Sequence, residues 1–253
     1  MAMIRPWLRF FRVVNLPTVP GDVLAGAAAV VAAGRMCLSG EDVAHVVLAS
    51  VASCALYLFG LADNDIVGAS TDKGRPLPDG EISPGAARIA RGTCLALGFG
   101  SIAVGGAYLA SAMATALALV AAIMAYNRTK RALLMGLCRG LNVLLGASAI
   151  VPPLFLPRAL FRAPHVVAVP LAVAAVWSVY IAAVTKYSEG EERDPERKRY
   201  VGALIGGIVY LQLVALIAFA LVRPANRGFL VAGAVLLVAL RVVKTLFPKV
   251  SAS

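Results

Sequence analysis

The sequence predicts an all-α protein that crosses a membrane many times, and three observations carry this. Of its 253 residues, 60% are hydrophobic and only 15% charged, with a mean hydropathy of +0.83; a soluble domain is near half apolar and a quarter charged. The apolar residues fall in long, nearly uncharged runs at 48–62, 94–126, 166–184, 201–222 and 228–243, and about 20 such residues make a helix that spans hydrocarbon. The charge, +11 net, lies mostly at the ends of these runs and in the loops between them.

About eight transmembrane helices are expected, near 10–34, 41–62, 86–109, 112–127, 132–152, 166–187, 200–222 and 228–247. The first contains Pro17 and Pro20, which predict a kink. A continuous helix would align Arg12, Asn15 and Asp22, spaced by three and seven. The second runs into Asp63-Asn64-Asp65; if it continues, Asp65 and Asp72 lie about 20° apart around its axis. A Pro/Gly-rich loop follows, ending in Ser83-Pro84, an N-cap and first-turn pair for the third helix. The fourth ends in Tyr126-Asn127-Arg128-Thr129-Lys130-Arg131, with Tyr126 and Lys130 on one face. The fifth carries Arg139, Asn142 and Gly146 as one polar or small stripe. The sixth leads into the loop 188–199, and the last two are apolar along most of their length.

With both termini on one side, that side holds 18 of the 24 Lys and Arg residues and the other side 5, with Arg139 inside a span. The positive-inside rule then makes the termini and basic loops cytoplasmic, in an integral protein of the cytoplasmic membrane. The basicity is thus a topology signal, and no nucleic-acid partner is expected. The first apolar segment holds Asn15, Pro17, Pro20 and Asp22, unlike a cleavable leader, and residues 1–253 read as a single membrane domain. Cys54, Cys94 and Cys138 lie inside spans as packing residues, Cys37 lies outside, and no pair has metal-ligand spacing. His45 and His165 sit near outer helix ends.

Ionisable groups at membrane depth are costly and point to function. Oxygen ligands on one helix face, from Asn64, Asp65 and Asp72, suit Mg2+, which takes one or two carboxylates and leaves room for phosphate oxygens; a solvated acidic helix end is the plainer reading. Lys130 and its arginine neighbours suit phosphate, or simply anchor a helix end. Arg139 is deep enough to need a partner, either a cavity ligand or an acid on a neighbouring helix. The loop 188–199 holds five of the 13 acids, a second ligand set or a self-neutralising loop.

Taken in order, these features resemble the UbiA superfamily of intramembrane prenyltransferases. Asn64-Asp65-x-x-Gly68-x-x-x-Asp72 is similar to that family's first motif, N-D-x-x-D-x-x-x-D. Arg75-Pro76-Leu77-Pro78-Asp79-Gly80-Glu81-Ile82-Ser83 resembles its extension, and Tyr126-x-x-x-Lys130-Arg131 the element after the fourth helix. Asn15-Leu16-Pro17-Thr18, the 136–142 stretch and Ser188-x-Gly190-Glu191 look most like the EboC-type branch. The resemblance implies a helical barrel around a central cavity. In it Asn64, Asp65, Asp72, Glu189, Glu191 and Glu192 hold Mg2+ on a prenyl diphosphate. Arg75, Lys130 and Arg139 neutralise pyrophosphate, Tyr126 steadies an allylic cation, and Asn15, Asp22 and Asn142 orient ligands. The implied partners are the diphosphate, a lipophilic or small hydroxylated or aromatic acceptor, and membrane lipid. Three departures stand out: Gly68 replaces the motif's middle aspartate, glutamates replace the second motif's aspartates, and eight spans replace the family's usual nine. The rival readings are a decayed homologue kept as a binding or scaffold protein, and a small-anion transporter.

The charge split makes a direct prediction. In a Cys37→Ser background, a membrane-impermeant maleimide added outside should miss Asp79→Cys and label Arg158→Cys; the reverse pattern would overturn the topology.

Overall fold

The computed structural model describes residues 4–34, 37–70, 74–104, 109–151, 163–189, 194–222 and 227–246. Among them the regular structure is helical throughout. A short helix α1 (Ile4–Phe10) and a 3-10 segment (Val13–Thr18) lead into α2 (Pro20–Gly34). Then come α3 (Gly40–Val67), α4 (Pro84–Ala103), α5 (Leu109–Thr129), α6 (Ala132–Ser148), α7 (Pro164–Ser188), α8 (Pro195–Val222) and α9 (Arg227–Leu246). Five segments are long and apolar enough to cross a membrane: Val13–Gly34, Gly40–Val67, Ala110–Thr129, Pro164–Ser188 and Arg199–Val222. Helix α6 is apolar but shorter, and α4 and α9 each carry at least two basic residues.

Local chemistry sets most of these boundaries. Ser39 and Asp42 form a capping box on α3, each side chain accepting from the other's backbone N–H at 3.1 and 2.8 Å. Ser83 Oγ accepts from Ala86 N–H at 3.2 Å and Pro84 opens α4, as the sequence predicts. The first span is not the continuous helix from residue 10 that would align Arg12, Asn15 and Asp22. Arg12 adopts a left-handed backbone (φ 39°) and residues 13–18 wind as a 3-10 helix. Proline lacks the N–H an interior helical position needs but suits the first turn, so Pro17 falls in the 3-10 segment and Pro20 starts α2. Likewise α3 does not continue to Asp72. It ends at Val67, where Gly68 N–H caps the Asn64 carbonyl at 2.9 Å, and Asp72 lies outside the described residues.

The centre of the bundle is α6, which packs against α2, α5 and α7. Lipid tails are as apolar as leucine, so membrane helices associate through close backbone approach at small residues. A Cβ on Gly26 would sit 1.9 Å from the Val143 carbonyl oxygen, and one on Gly146 2.0 Å from that of Val23, so α2 and α6 touch backbone to backbone. Also on α6, a Cβ on Gly136 would meet the Ser178 carbonyl oxygen at 2.1 Å and one on Gly140 the Ser178 hydroxyl at 2.1 Å. Large apolar side chains such as Val179, Val214, Leu221, Val231 and Val238 face outward, as lipid contact requires.

These crossings are testable. Gly146→Ala should cost about 1–3 kcal/mol or more by overpacking, read as a lowered Tm in detergent. Gly202→Ala, where the added methyl meets nothing within 4 Å, should leave Tm unchanged or slightly raised. Equal shifts would refute the α2–α6 contact.

Candidate functional site

One face of α3 carries Ser53, Tyr57, Gly60, Leu61, Asn64 and Asp65, at the three- and four-residue spacing that stacks side chains along a helix. This face lines a cavity of about 680 Å³, closed by Leu119, Ile123 and Tyr126 of α5, by Met135, Cys138, Arg139 and Asn142 of α6, and by Arg9, Arg12 and Arg75. Asp65 lies twelve residues from Ser53, so this wall is about 18 Å long at 1.5 Å per residue.

At one end sits a polar cap. The Asp65 side chain is 2% exposed, and its Oδ1 accepts from Arg75 Nη1 at 2.8 Å, Arg12 Nη2 at 3.1 Å and Asn64 Nδ2 at 3.3 Å. Lys130 Nζ donates to Asn64 Oδ1 and lies 5.7 Å from the Tyr126 ring centre. Arg12 and Lys130 are the non-glycine residues with positive φ among the described residues, at 39° and 54°. Such conformations cost energy and persist where the surroundings impose them; here both strained positions deliver a cation to the same Asn64–Asp65 pair.

The N-terminal segment reaches this cap because Trp7, Phe10 and Phe11 pack on one another and against Leu77 and Ile82 of the loop after α3. Arg9 ties the same loop down, with Nη1 2.9 Å from Glu81 and Nη2 3.0 Å from the Gly74 carbonyl. Gly74 and Gly80 take φ near 78° and 76°, which their missing Cβ permits. Beside the cap, Asp63 pairs with Arg91 of α4 at 3.1 Å and accepts from Asn127 of α5 at 2.9 Å. That acid joins three helices.

Behind the opposite end lies a second acid. Asp22 is fully buried, and four side chains surround it: Trp177 Nε1 at 3.0 Å and Gln212 Nε2 at 2.6 Å on Oδ1, with Arg139 Nε at 3.0 Å and Asn142 Nδ2 at 3.3 Å around Oδ2. The Arg139 Nε–H is poorly aligned with Oδ2 despite that distance and makes no hydrogen bond of good geometry; the contact is an ion pair first. Arg139 Nη2 also donates to the Thr18 carbonyl at 3.2 Å, and Ser53 Oγ to Asn142 Oδ1 at 2.7 Å. Asn15 hydrogen-bonds Tyr57, whose hydroxyl lies within the fields of both Arg12 and Arg139.

The structure therefore brings Asn64, Asp65, Arg75, Tyr126, Lys130, Arg139 and Asn142 to one cavity. Asn15 sits beside Tyr57, and Asp22 stands behind the wall, enclosed by donors. Glu189 is exposed, bonded to Lys186 Nζ at 2.6 Å, with its carbonyl accepting from Arg197 at 2.9 Å; it is not on the cavity wall. Asp72, Glu191 and Glu192 lie outside the described residues. Tyr57, Ser53 and Arg9 were not singled out from sequence, although Ser53, Tyr57, Gly60 and Asn64 form a polar or small stripe at helical spacing. Trp177 and Gln212 gave no such signal. Among the described residues no three His, Cys, Asp or Glu side chains cluster as a metal site. What the cap offers is the Asp65 carboxylate and the Asn64 amide oxygen. That set fits Mg2+ arriving with phosphate oxygens rather than a metal caged by protein alone.

No protein-family model and no curated protein matches the chain. Its fold, however, is that of solved UbiA homologues. A UbiA homologue from Archaeoglobus fulgidus, solved with GPP and Mg2+, aligns with a TM-score of 0.55 at 13% identity, over 97% of this chain and 98% of that one. A digeranylgeranylglyceryl phosphate synthase structure aligns with a TM-score of 0.52 at 14% identity, over 99% and 92%.

The Asp22 cluster predicts its own sensitivity. Asp22→Ala leaves Arg139 buried without its counter-charge and should cost about 3–5 kcal/mol, read as loss of folded protein or a large fall in Tm. Asp22→Asn, which keeps the shape, should fall between. A wild-type Tm for Asp22→Ala would refute the ion pair.

Proposed function

We propose that this chain is an intramembrane prenyltransferase of the UbiA type, transferring an isoprenyl group from an allylic diphosphate to a second, acceptor molecule. One observation carries the reading. Arg12 and Arg75, from separate segments, converge on a single oxygen of Asp65 beside Lys130, at the polar end of a cavity whose lining also carries the apolar Leu61, Leu119, Ile123 and Met135. An amphipathic substrate with an anionic head and an apolar tail has that pattern, and a solved UbiA homologue of the same fold holds GPP and Mg2+.

In this reading the diphosphate lies under the cap, where Arg12, Arg75 and Lys130 take its oxygens in charge-assisted bonds. The C–O bond to the diphosphate breaks, the allylic carbon bonds to the acceptor's nucleophilic atom, the acceptor loses a proton and pyrophosphate leaves. Cations fixed before the reaction stabilise the charge that develops on the leaving group, usually the largest catalytic contribution. Tyr126, within the cap, turns its ring toward the developing allylic cation. Asn64 and Asp65, joined by Asp72, Glu191 and Glu192 from the flanking loops, would hold Mg2+, which supplies further neutralisation of the pyrophosphate. The cap faces the cytoplasm on the charge split of the loops, and the Ser188-x-Gly190-Glu191 pattern supports the EboC-type branch.

Calorimetry with geranyl diphosphate tests this. With Mg2+ present the protein should bind it; Asp65→Ala, Arg75→Ala or EDTA should each weaken binding tenfold or more. Affinity unaltered by all three would refute the proposed cap, and binding with no pyrophosphate release toward any acceptor would favour the scaffold reading.

A further inference from the structure

The cavity lining is of two kinds. Besides the apolar side chains of Leu119, Ile123 and Met135 it presents a polar wall, made by Tyr57 of α3 and Arg139 of α6 with Ser53 and Asn142. An isoprenyl tail laid against this second wall would cover polar groups it cannot hydrogen-bond, at a cost of about 1–3 kcal/mol for each group left unsatisfied. Resting on the prenyltransferase reading above, we propose that the Tyr57–Arg139 wall is the acceptor subsite, and that it takes an uncharged acceptor bearing a hydroxyl or carbonyl group rather than a carboxylate or phosphate.

Bonds already made define what remains to be offered. Asn142 places both amide hydrogens on Val19 and Asp22 and its oxygen under Ser53, so it shapes the wall rather than binding. Arg139 places Nε against Asp22 and Nη2 on the Thr18 carbonyl, while Nη1 has no protein partner among the described residues. The Tyr57 hydroxyl is hydrogen-bonded with Asn15 and lies near Arg12 and Arg139. The wall therefore offers donors, from Arg139 Nη1 and the Tyr57 hydroxyl, to an oxygen atom of a ligand.

Charge decides which oxygen. Arg139 is 12% exposed and already faces a full negative charge on Asp22, which is 0% exposed, so this end of the cavity is a balanced pair. A carboxylate or phosphate here would bring a second anion to a guanidinium already paired with Asp22, in a low-dielectric interior where uncompensated charge is strongly disfavoured. A hydroxyl or carbonyl accepts the same hydrogen bonds without that penalty. The anionic group belongs at the other end, where Arg12, Arg75 and Lys130 gather.

Matched acceptors separate this proposal from the reading it rests on. Purified protein in nanodiscs, with geranyl diphosphate and Mg2+, is given 4-hydroxybenzoate or its methyl ester, glycerol 3-phosphate or glycerol, and myo-inositol. Geranyl diphosphate binding is measured alongside by calorimetry, and its absence would sink the prenyltransferase reading itself. Where binding is present, the proposal expects prenylated product from an uncharged member, with the methyl ester or glycerol at least tenfold above its charged partner. Tyr57→Phe should raise the acceptor KM about tenfold, the worth of one hydrogen bond, and leave geranyl diphosphate affinity within twofold. Arg139→Lys, which keeps the pair with Asp22, should raise the same KM and no other constant. Product from the charged members alone or from no member, or an acceptor KM unmoved in Tyr57→Phe, overturns the assignment.

Discussion

A single buried carboxylate ties the bundle together. Asp22 has no exposure, and its partners come from α6 (Arg139, Asn142), α7 (Trp177) and α8 (Gln212), with Ser53 of α3 attached through Asn142. Between membrane helices there is no hydrophobic drive to dock, so packing and interhelical hydrogen bonds must supply specificity. Glycine contacts let α2, α6 and α7 approach; the acid then fixes which rotation of each helix is allowed. A one-residue slip of α6 would remove Gly146 from Val23 and Arg139 from Asp22 together. Arg139, held in this way, lines the cavity together with Tyr57.

Much of this was readable in the chain, and the unreadable parts have physical reasons. The eight helices expected from apolar run length correspond in order to α2–α9 among the described residues, five of whose segments are long and apolar enough to span a bilayer. Ser83-Pro84 marked the start of α4 correctly because capping is local chemistry. The first span, expected as one helix kinked at its prolines, instead breaks into a 3-10 segment and α2, because proline effects compete over a single turn and pattern alone does not say whether a chain kinks or unwinds. Arg139 was legible as a residue needing a partner, and an acid on a neighbouring helix was one of two stated alternatives. The structure satisfies that one while still leaving the guanidinium at the cavity edge. Trp177 and Gln212 were invisible because each is one polar atom on an apolar helix; only the folded bundle shows that both point at Asp22.

The two aspartates that anchor the site make the same kind of pair with arginine, yet their surroundings set them apart. Asp22 and its arginine are both deeply buried, at 0% and 12% exposure, and every partner is a side chain locked in a helix. Removing the charge of either one would leave the other stranded in a low dielectric, so this pair holds the structure. Asp65 is nearly as buried, at 2%, but its arginines are 24% and 35% exposed and come from a 3-10 entry segment and a loop. Such cations can turn to another anion without being stripped of water, because part of their hydration is already present. Buried acid, wet cations and strained backbone at Arg12 and Lys130 are the conditions under which ion pairs form readily and exchange readily. That difference in the solvation of the cations, more than any difference between the acids, makes one pair a brace and the other a candidate binding site.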